Sequence, residues 1–180
     1  MTNSLKKQQD STLTLPIQWD SSWPELAGEG DRKFLLAYMY ERFGIPIHVF
    51  EEYLMFSKKR TFWFINKSQL ISEISHLKIK RLGIKAFQEV GSFIKPTTRI
   101  IQYFGDRATK AVFKINENQL EKLLDGDHLP MEEDLENGYV ILSFDGQVLG
   151  LGLLINGKVR SQLPSKDVRF MSVKGQANNK

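Results

Sequence analysis

Nine residues in two stretches of this chain have the chemistry to hold a phosphate or a nucleobase. The first stretch surrounds Pro96, where Lys95, Arg99, Arg107 and Lys110 supply four cations and Thr97 a hydroxyl. A helix opened by that proline would set free backbone N–H groups and the positive end of its dipole beside them, the makings of a phosphate cradle. The second stretch is Lys158-Val-Arg160-Ser161-Gln162. An arginine fork pairs with a phosphate or reads a guanine edge, and Ser or Gln side chains hydrogen-bond a base. On a strand, Lys158 and Arg160 alternate with Val159 and face solvent, so a plain exposed edge is the competing reading. Phe56, Phe62, Trp63 and Phe64 have rings able to stack on bases, although aromatics in a hairpin more often fill a core.

Catalytic templates find nothing comparable. Gly150-Leu-Gly152 lacks the third glycine of a dinucleotide fingerprint and leads into a turn instead of a helix. His48, His76 and His128 are scattered, with no partner at metal-ligand spacing. Ser92-Phe-Ile-Lys95 has an acyl-transfer spacing without its companion motifs. Glu132-Glu-Asp134 with Glu136 reads as a solvated acidic loop, since it lacks the glycine-spaced pattern of a calcium loop. The expectation is a protein that is not an enzyme and needs no cofactor or metal.

The elements that must position these residues follow from periodicity and punctuation. Asp31 is expected to cap a helix over 32–43, with Phe34, Leu35, Tyr38, Met39, Arg42 and Phe43 at helical spacing and Gly44 as its stop. Pro46 opens a short helix through Tyr53. The β-prone runs 54–57 and 61–65 flank Lys58-Lys-Arg60 as a hairpin, and 68–76 is a short helix. Residues 77–90 alternate in part and read as a basic, half-exposed strand pair. Pro96 starts a helix through Phe104, 110–115 is a strand, and Asn116 caps a helix through Leu124. Asp145-Gly146 and Asn156-Gly157 are the tips of two consecutive hairpins, because such turns need positive φ at both central residues. Gly150 and Gly152 sit on alternate positions of one strand, as a sharply bent strand requires.

Charge is distributed unevenly. Residues 56–114 carry thirteen Lys and Arg against Glu73, Glu89 and Asp106, a local excess of +10, while 115–137 carry −7, 138–180 +4 and 1–55 −3. A local excess of that size points to a polyanion more clearly than the net +4 does. The chain has no cysteine, which excludes disulfides and thiolate sites and fits a reducing compartment. Its longest apolar run, Val148–Ile155, is far short of the ~20 residues of a membrane span. The N-terminal residues have no apolar core after Lys6-Lys7, so no secretory signal is read there. The expected location is cytoplasmic, with no membrane partner.

From about residue 80 to 170 the chain resembles the PUA-like RNA-binding module that follows the catalytic domain of Sun-type RNA 5-methylcytosine methyltransferases. The stretches that carry the likeness are Arg81-Leu-Gly-Ile84, Phe93-Ile-Lys-Pro-Thr-Thr-Arg99, Gly138-Tyr-Val-Ile-Leu142, Gly146-Gln-Val-Leu-Gly-Leu-Gly152 and Gly157-Lys-Val-Arg-Ser-Gln-Leu-Pro164. An α+β unit ahead of a C-terminal PUA-like barrel is also similar to the layout of a small two-domain ribosome-biogenesis factor of the large subunit. The Rossmann-like core and cysteine nucleophiles of the methyltransferases have no counterpart here, so the resemblance implies the RNA-binding appendage without methylation.

These readings combine into one expectation. The fold is α+β: a tail over 1–15, a small N-terminal mixed α/β (pre-PUA-like) domain over 16–90, a PUA-like pseudo-β-barrel over 91–172 and a tail over 173–180. The partner is structured RNA, tRNA or rRNA, bound without catalysis in RNA modification or ribosome biogenesis. An alternative is a protein–protein adaptor that recruits an RNA-modifying enzyme or an assembly factor, docking through the acidic segment 115–137 and the apolar N-terminal helices.

Overall fold

The computed structural model describes residues 19–132 and 134–164. The tails expected over 1–15 and 173–180 lie outside these residues. The chain forms a mixed α+β structure with two five-stranded sheets. The first is antiparallel, in the order β1 (Glu25–Leu26), β2 (Tyr53–Lys58), β3 (Thr61–Asn66), β4 (Ile84–Val90) and β5 (Phe93–Pro96). The second, curled sheet holds β6 (Val112–Ile115), β7 (Leu129–Pro130), β8 (Gly138–Phe144), β9 (Gln147–Ile155) and β10 (Lys158–Ser161), in the order β6-β8-β9-β10-β7.

The long helix α1 spans Glu29–Phe43 and buries Leu35, Met39 and Phe43 of the expected stripe together with Leu36, which lay outside it. Gly28 stands at its N-cap in place of Asp31, which joins Glu29 in the first turn, where the helix dipole favours acids. Gly44 closes it in the left-handed region at φ 66°. After Pro46 comes one turn of 3₁₀ helix, Ile47–Phe50, and Tyr53 already belongs to β2. The β2–β3 hairpin turns on Lys59 and Arg60, both at positive φ (45° and 52°) with no glycine to ease the turn.

The helix expected over 68–76 is present as α2 (Leu70–Ile74). Of the strand pair expected over 77–90 only β4 forms; Leu77–Gly83 runs outside regular strand. The reason is that Lys78, Lys80 and Arg81 are exposed, and only Ile79 and Leu82 turn inward. Pro96 ends β5 and does not open the next helix. Thr97 caps α3 (Thr98–Phe104), its Oγ1 accepting the Ile100 N–H at 3.2 Å.

The parallel pair β6–β8 requires a crossover, supplied by α4 (Glu117–Leu124) and β7. Asn116 and Gln119 form a reciprocal capping box at the start of α4. The two remaining hairpins turn as expected, with Asp145 and Gly146 at φ 47° and 72° and Asn156 and Gly157 at 49° and 73°. In β9 the register steps from Leu142↔Gly150 to Ser143↔Val148, leaving Leu149 as the extra residue of a bulge. Its carbonyl accepts Gln102 Nε2 from α3 at 2.9 Å. Gly150, at φ +150°, faces Thr98 and Leu163 closely enough that a Cβ would stand 2.7 Å from each.

One buried cluster runs through both sheets, from Leu35, Phe43, Phe64 and Phe87 to Ile101, Phe104, Ile141 and Leu151. Phe104 of α3 is its hinge, with ring centroids 4.7 Å from Phe50 and 5.3 Å from Tyr53. A smaller cluster of Trp23, Phe56 and Leu82, joined by Trp19 and Trp63, covers the opposite face of the first sheet. Among the described residues no helix is long and apolar enough to cross a membrane.

Candidate nucleic-acid interface

The second sheet carries three of the nine expected residues, Lys158, Arg160 and Ser161, with Gln162 just past its last strand, and strand alternation decides where they point. In β10 Val159 is fully buried, while Lys158 and Arg160 emerge on the other face. They flank a hollow of about 420 Å³ together with His128, Leu153, Ile155 and Asn156. Neither makes an ion pair among the described residues. The row Arg160–Leu153–Tyr139 crosses three strands in register. Burial pushes the Tyr139 phenol above its ordinary pKa, and the Arg160 charge pulls it partly back.

Ser161 and Gln162 follow at the strand's exit. Gln162 Oε1 accepts Lys95 Nζ at 3.0 Å, a contact between residues 67 positions apart. The Ser161 hydroxyl accepts the Leu163 N–H at 3.2 Å, and Gln162 Nε2 donates to the Ser161 carbonyl. The structure therefore joins Lys95 of β5 to Gln162 at the end of the second sheet.

The remaining four sit around α3. The Thr97 hydroxyl is taken up locally: it caps the helix and donates to the Lys85 carbonyl. Arg99 is exposed in the first turn. Arg107 is held by Asp106 at 2.9 Å, with its guanidinium carbon 6.0 Å from the Phe104 ring centre. Lys110 lies 5.8 Å over the Tyr40 ring of α1. The cradle expected at the start of α3 is thus only partly assembled: Arg99, Arg107 and Lys110 are exposed, but Arg107 is paired with Asp106, Lys110 lies against Tyr40 and Thr97 is spent on the cap.

Two features lie outside those nine residues. Arg42, the one cation in the apolar stripe of α1, donates from Nε to the Tyr139 carbonyl at 2.7 Å and has a buried Nη2 without a partner among the described residues. Its burial lowers the guanidinium pKa. Gly138, at φ +146°, makes room for it: a Cβ there would stand 3.1 Å from Arg42 Cζ. The signal was in the sequence, as a cation at a helical position otherwise facing the core. The second feature is a group of cations around Trp63, in the segment of highest local charge. Their convergence depends on strand pairing and leaves no contiguous motif. Among the described residues no group of His, Asp and Glu is arranged to hold a metal ion.

Residues 110–169 match the family model of the methyltransferase RsmF PUA domain. Ribosomal RNA small subunit methyltransferase F of Psychromonas ingrahamii is 30% identical over 101 residues, covering 53% of this chain and 21% of that protein. The enzyme of the same name from Aeromonas salmonicida is 26% identical over 93 residues, covering 52% and 20%. This chain thus spans about a fifth of the length of these relatives. The crystal structure of a hypothetical protein from Pyrococcus horikoshii OT3 superposes at a TM-score of 0.44 and 12% identity, over 81% of this chain and 86% of that one. The stretch that holds Lys110, Lys158, Arg160, Ser161 and Gln162 is a PUA-like module resembling the C-terminal module of Sun-type methyltransferases.

Proposed function

We propose that this protein binds structured RNA, tRNA or rRNA, without catalysing a reaction on it, in RNA modification or ribosome biogenesis. The observation that carries the proposal is the match of residues 110–169 to an RNA-methyltransferase PUA domain, with Lys158 and Arg160 exposed on that module and in no ion pair among the described residues. Only the appendage of the relatives is matched, which supports binding without their catalytic step. In this reading 91–172 is the PUA-like pseudo-barrel, 16–90 a pre-PUA-like unit, and the setting cytoplasmic. Lys95, Arg99, Arg107 and Lys110 extend the contact, with Thr97, Ser161 and Gln162 shaping its edge. Recognition is of shape and backbone more than of sequence.

The test is filter binding of total tRNA and of rRNA fragments at low and high salt. Affinity is expected to fall steeply with salt, since each phosphate contact adds about 0.7–0.9 to the log–log slope. Replacing both Lys158 and Arg160 by Ser should lower that slope by roughly 1.4–1.8. No binding at low salt would sink the proposal.

A second reading, the protein–protein adaptor, draws on a groove of about 890 Å³ between α1, the β4–β5 turn and the β8–β9 pair. Phe34 and Phe93 line it while 62% and 74% exposed, and Val90 and Ile155 add aliphatic surface. Glu89 and Glu136 are its carboxylates. An apolar protein segment with cationic flanks suits that lining better than a phosphate chain does.

A further inference from the structure

On the face of the first sheet opposite the main core, a cleft of about 360 Å³ is lined by Trp63, Lys58, Lys80, Arg81 and Lys85, and among the described residues no acidic side chain lines it. The fold assembles it from three elements. Lys58 closes β2, and its Nζ donates to the Ser22 carbonyl at 3.4 Å. Lys80 and Arg81 come from the irregular stretch before β4, which Ile79 and Leu82 anchor on the small aromatic cluster. Lys85 is brought in by pairing: the register between β3 and β4 shifts at Phe62/Trp63, and Lys85 then stands directly across from Trp63. Bulges of this kind re-aim side chains. Lys85 Nζ donates to Gln88 Oε1 at 3.0 Å, a neutral partner.

Four like charges around one hollow repel each other unless a counter-charge lies among them. The ion pairs among the described residues, Lys33–Glu29 and Arg107–Asp106, involve none of the four. Lys58 also borders a neighbouring hollow that holds Glu25, Asp31 and Glu89, but among the described residues no carboxylate stands in the cleft itself, which suits it to an anionic ligand. A half-buried indole set among cations also selects what kind of anion suits the cleft, because a nucleotide brings both a phosphate and a stackable ring.

We propose that this cleft seats a nucleotide of the bound RNA, with phosphates on Lys58, Lys80, Arg81 and Lys85 and a base against Trp63. It rests on the RNA-binding reading above and adds a contact on the first sheet, distinct from Lys158 and Arg160 on the second.

The three tryptophans of the chain, Trp19, Trp23 and Trp63, all belong to the cluster beneath the cleft, so their emission reports on it locally. The experiment titrates the full chain with a short oligoadenylate at low salt and follows tryptophan emission and filter binding together. Quenching is expected, and it should persist when Lys158 and Arg160 are both replaced by Ser. Replacing Lys80 and Arg81, both exposed, by Ser should weaken oligoadenylate binding about tenfold and lower the salt slope by roughly 1.4. Binding without quenching, at equal affinity in the Lys80→Ser/Arg81→Ser variant, would overturn the cleft and leave the RNA-binding reading standing. Equal quenching by inorganic polyphosphate or by polyglutamate would overturn the nucleotide assignment. No binding of any RNA would overturn both readings.

Discussion

Tyr38 of α1 sets its ring edge-on to Phe43, with ring centroids 5.9 Å apart. Burial raises its phenol to about 12, with the nearby Arg42 charge acting in the opposite direction. A phenol titrating near 10 in the unfolded chain and higher in the folded one favours the neutral native form. The associated stability is whole below pH 10 and is lost as pH rises from 10 through 12, by at most roughly 2–3 kcal/mol. Urea unfolding at pH 9 and pH 11.5 should show this fall in the parent and a smaller one in Tyr38→Phe. Equal falls in the two proteins would rule the assignment out. Arg42 beside it was visible in the sequence as a cation in an apolar stripe, but the chain alone could not reveal that its partner is the Tyr139 carbonyl, 97 residues away. The same holds for Lys95 and Gln162: each carries the chemistry of a contact residue in its own stretch, and only tertiary pairing brings them within hydrogen-bonding distance.

At the scale of elements, what depends on neighbours in sequence was legible and what depends on distant partners was not. Asn116 as a cap, Gly44 as a stop and the Asp-Gly and Asn-Gly turns are short-range devices, and the structure has them where the sequence places them. The parallel pairing of β6, the short strand β7 inside the acidic segment 115–137 and the bulge at Leu149 are set by long-range register, which leaves no local signature. Pro96 was misplaced for a related reason: a proline suits the end of an edge strand as well as the first turn of a helix, and here the edge position prevails. Gly150 links the bulged strand to α3, so Gly150→Ala should cost about 1–3 kcal/mol through its positive φ and its contacts with Thr98 and Leu163. Thermal unfolding measures this; an unchanged midpoint would show that α3 shifts freely against β9.

Across the whole molecule the surface hollows differ in character: among the described residues the cleft at Trp63 and the hollow at Lys158 are lined by cations without carboxylates, while the groove between α1 and β9 is apolar, with Glu89, Glu136 and Arg42 in its lining. If the groove takes a protein segment, Phe93→Ser should abolish an RNase-resistant partner in pull-downs and leave RNA affinity within about twofold, since Phe93 is a surface residue whose replacement rarely costs stability. A loss of RNA affinity would instead assign the groove to the nucleic acid. The continuous core also limits how this chain can be inherited. Its family-matched segment begins at residue 110, yet β9 packs against α3, which ends at Phe104, and α3 in turn packs against β4. A gene rearrangement that carried 110–169 alone would arrive with its apolar face bare, and would persist only beside a new neighbour able to take the place of α3.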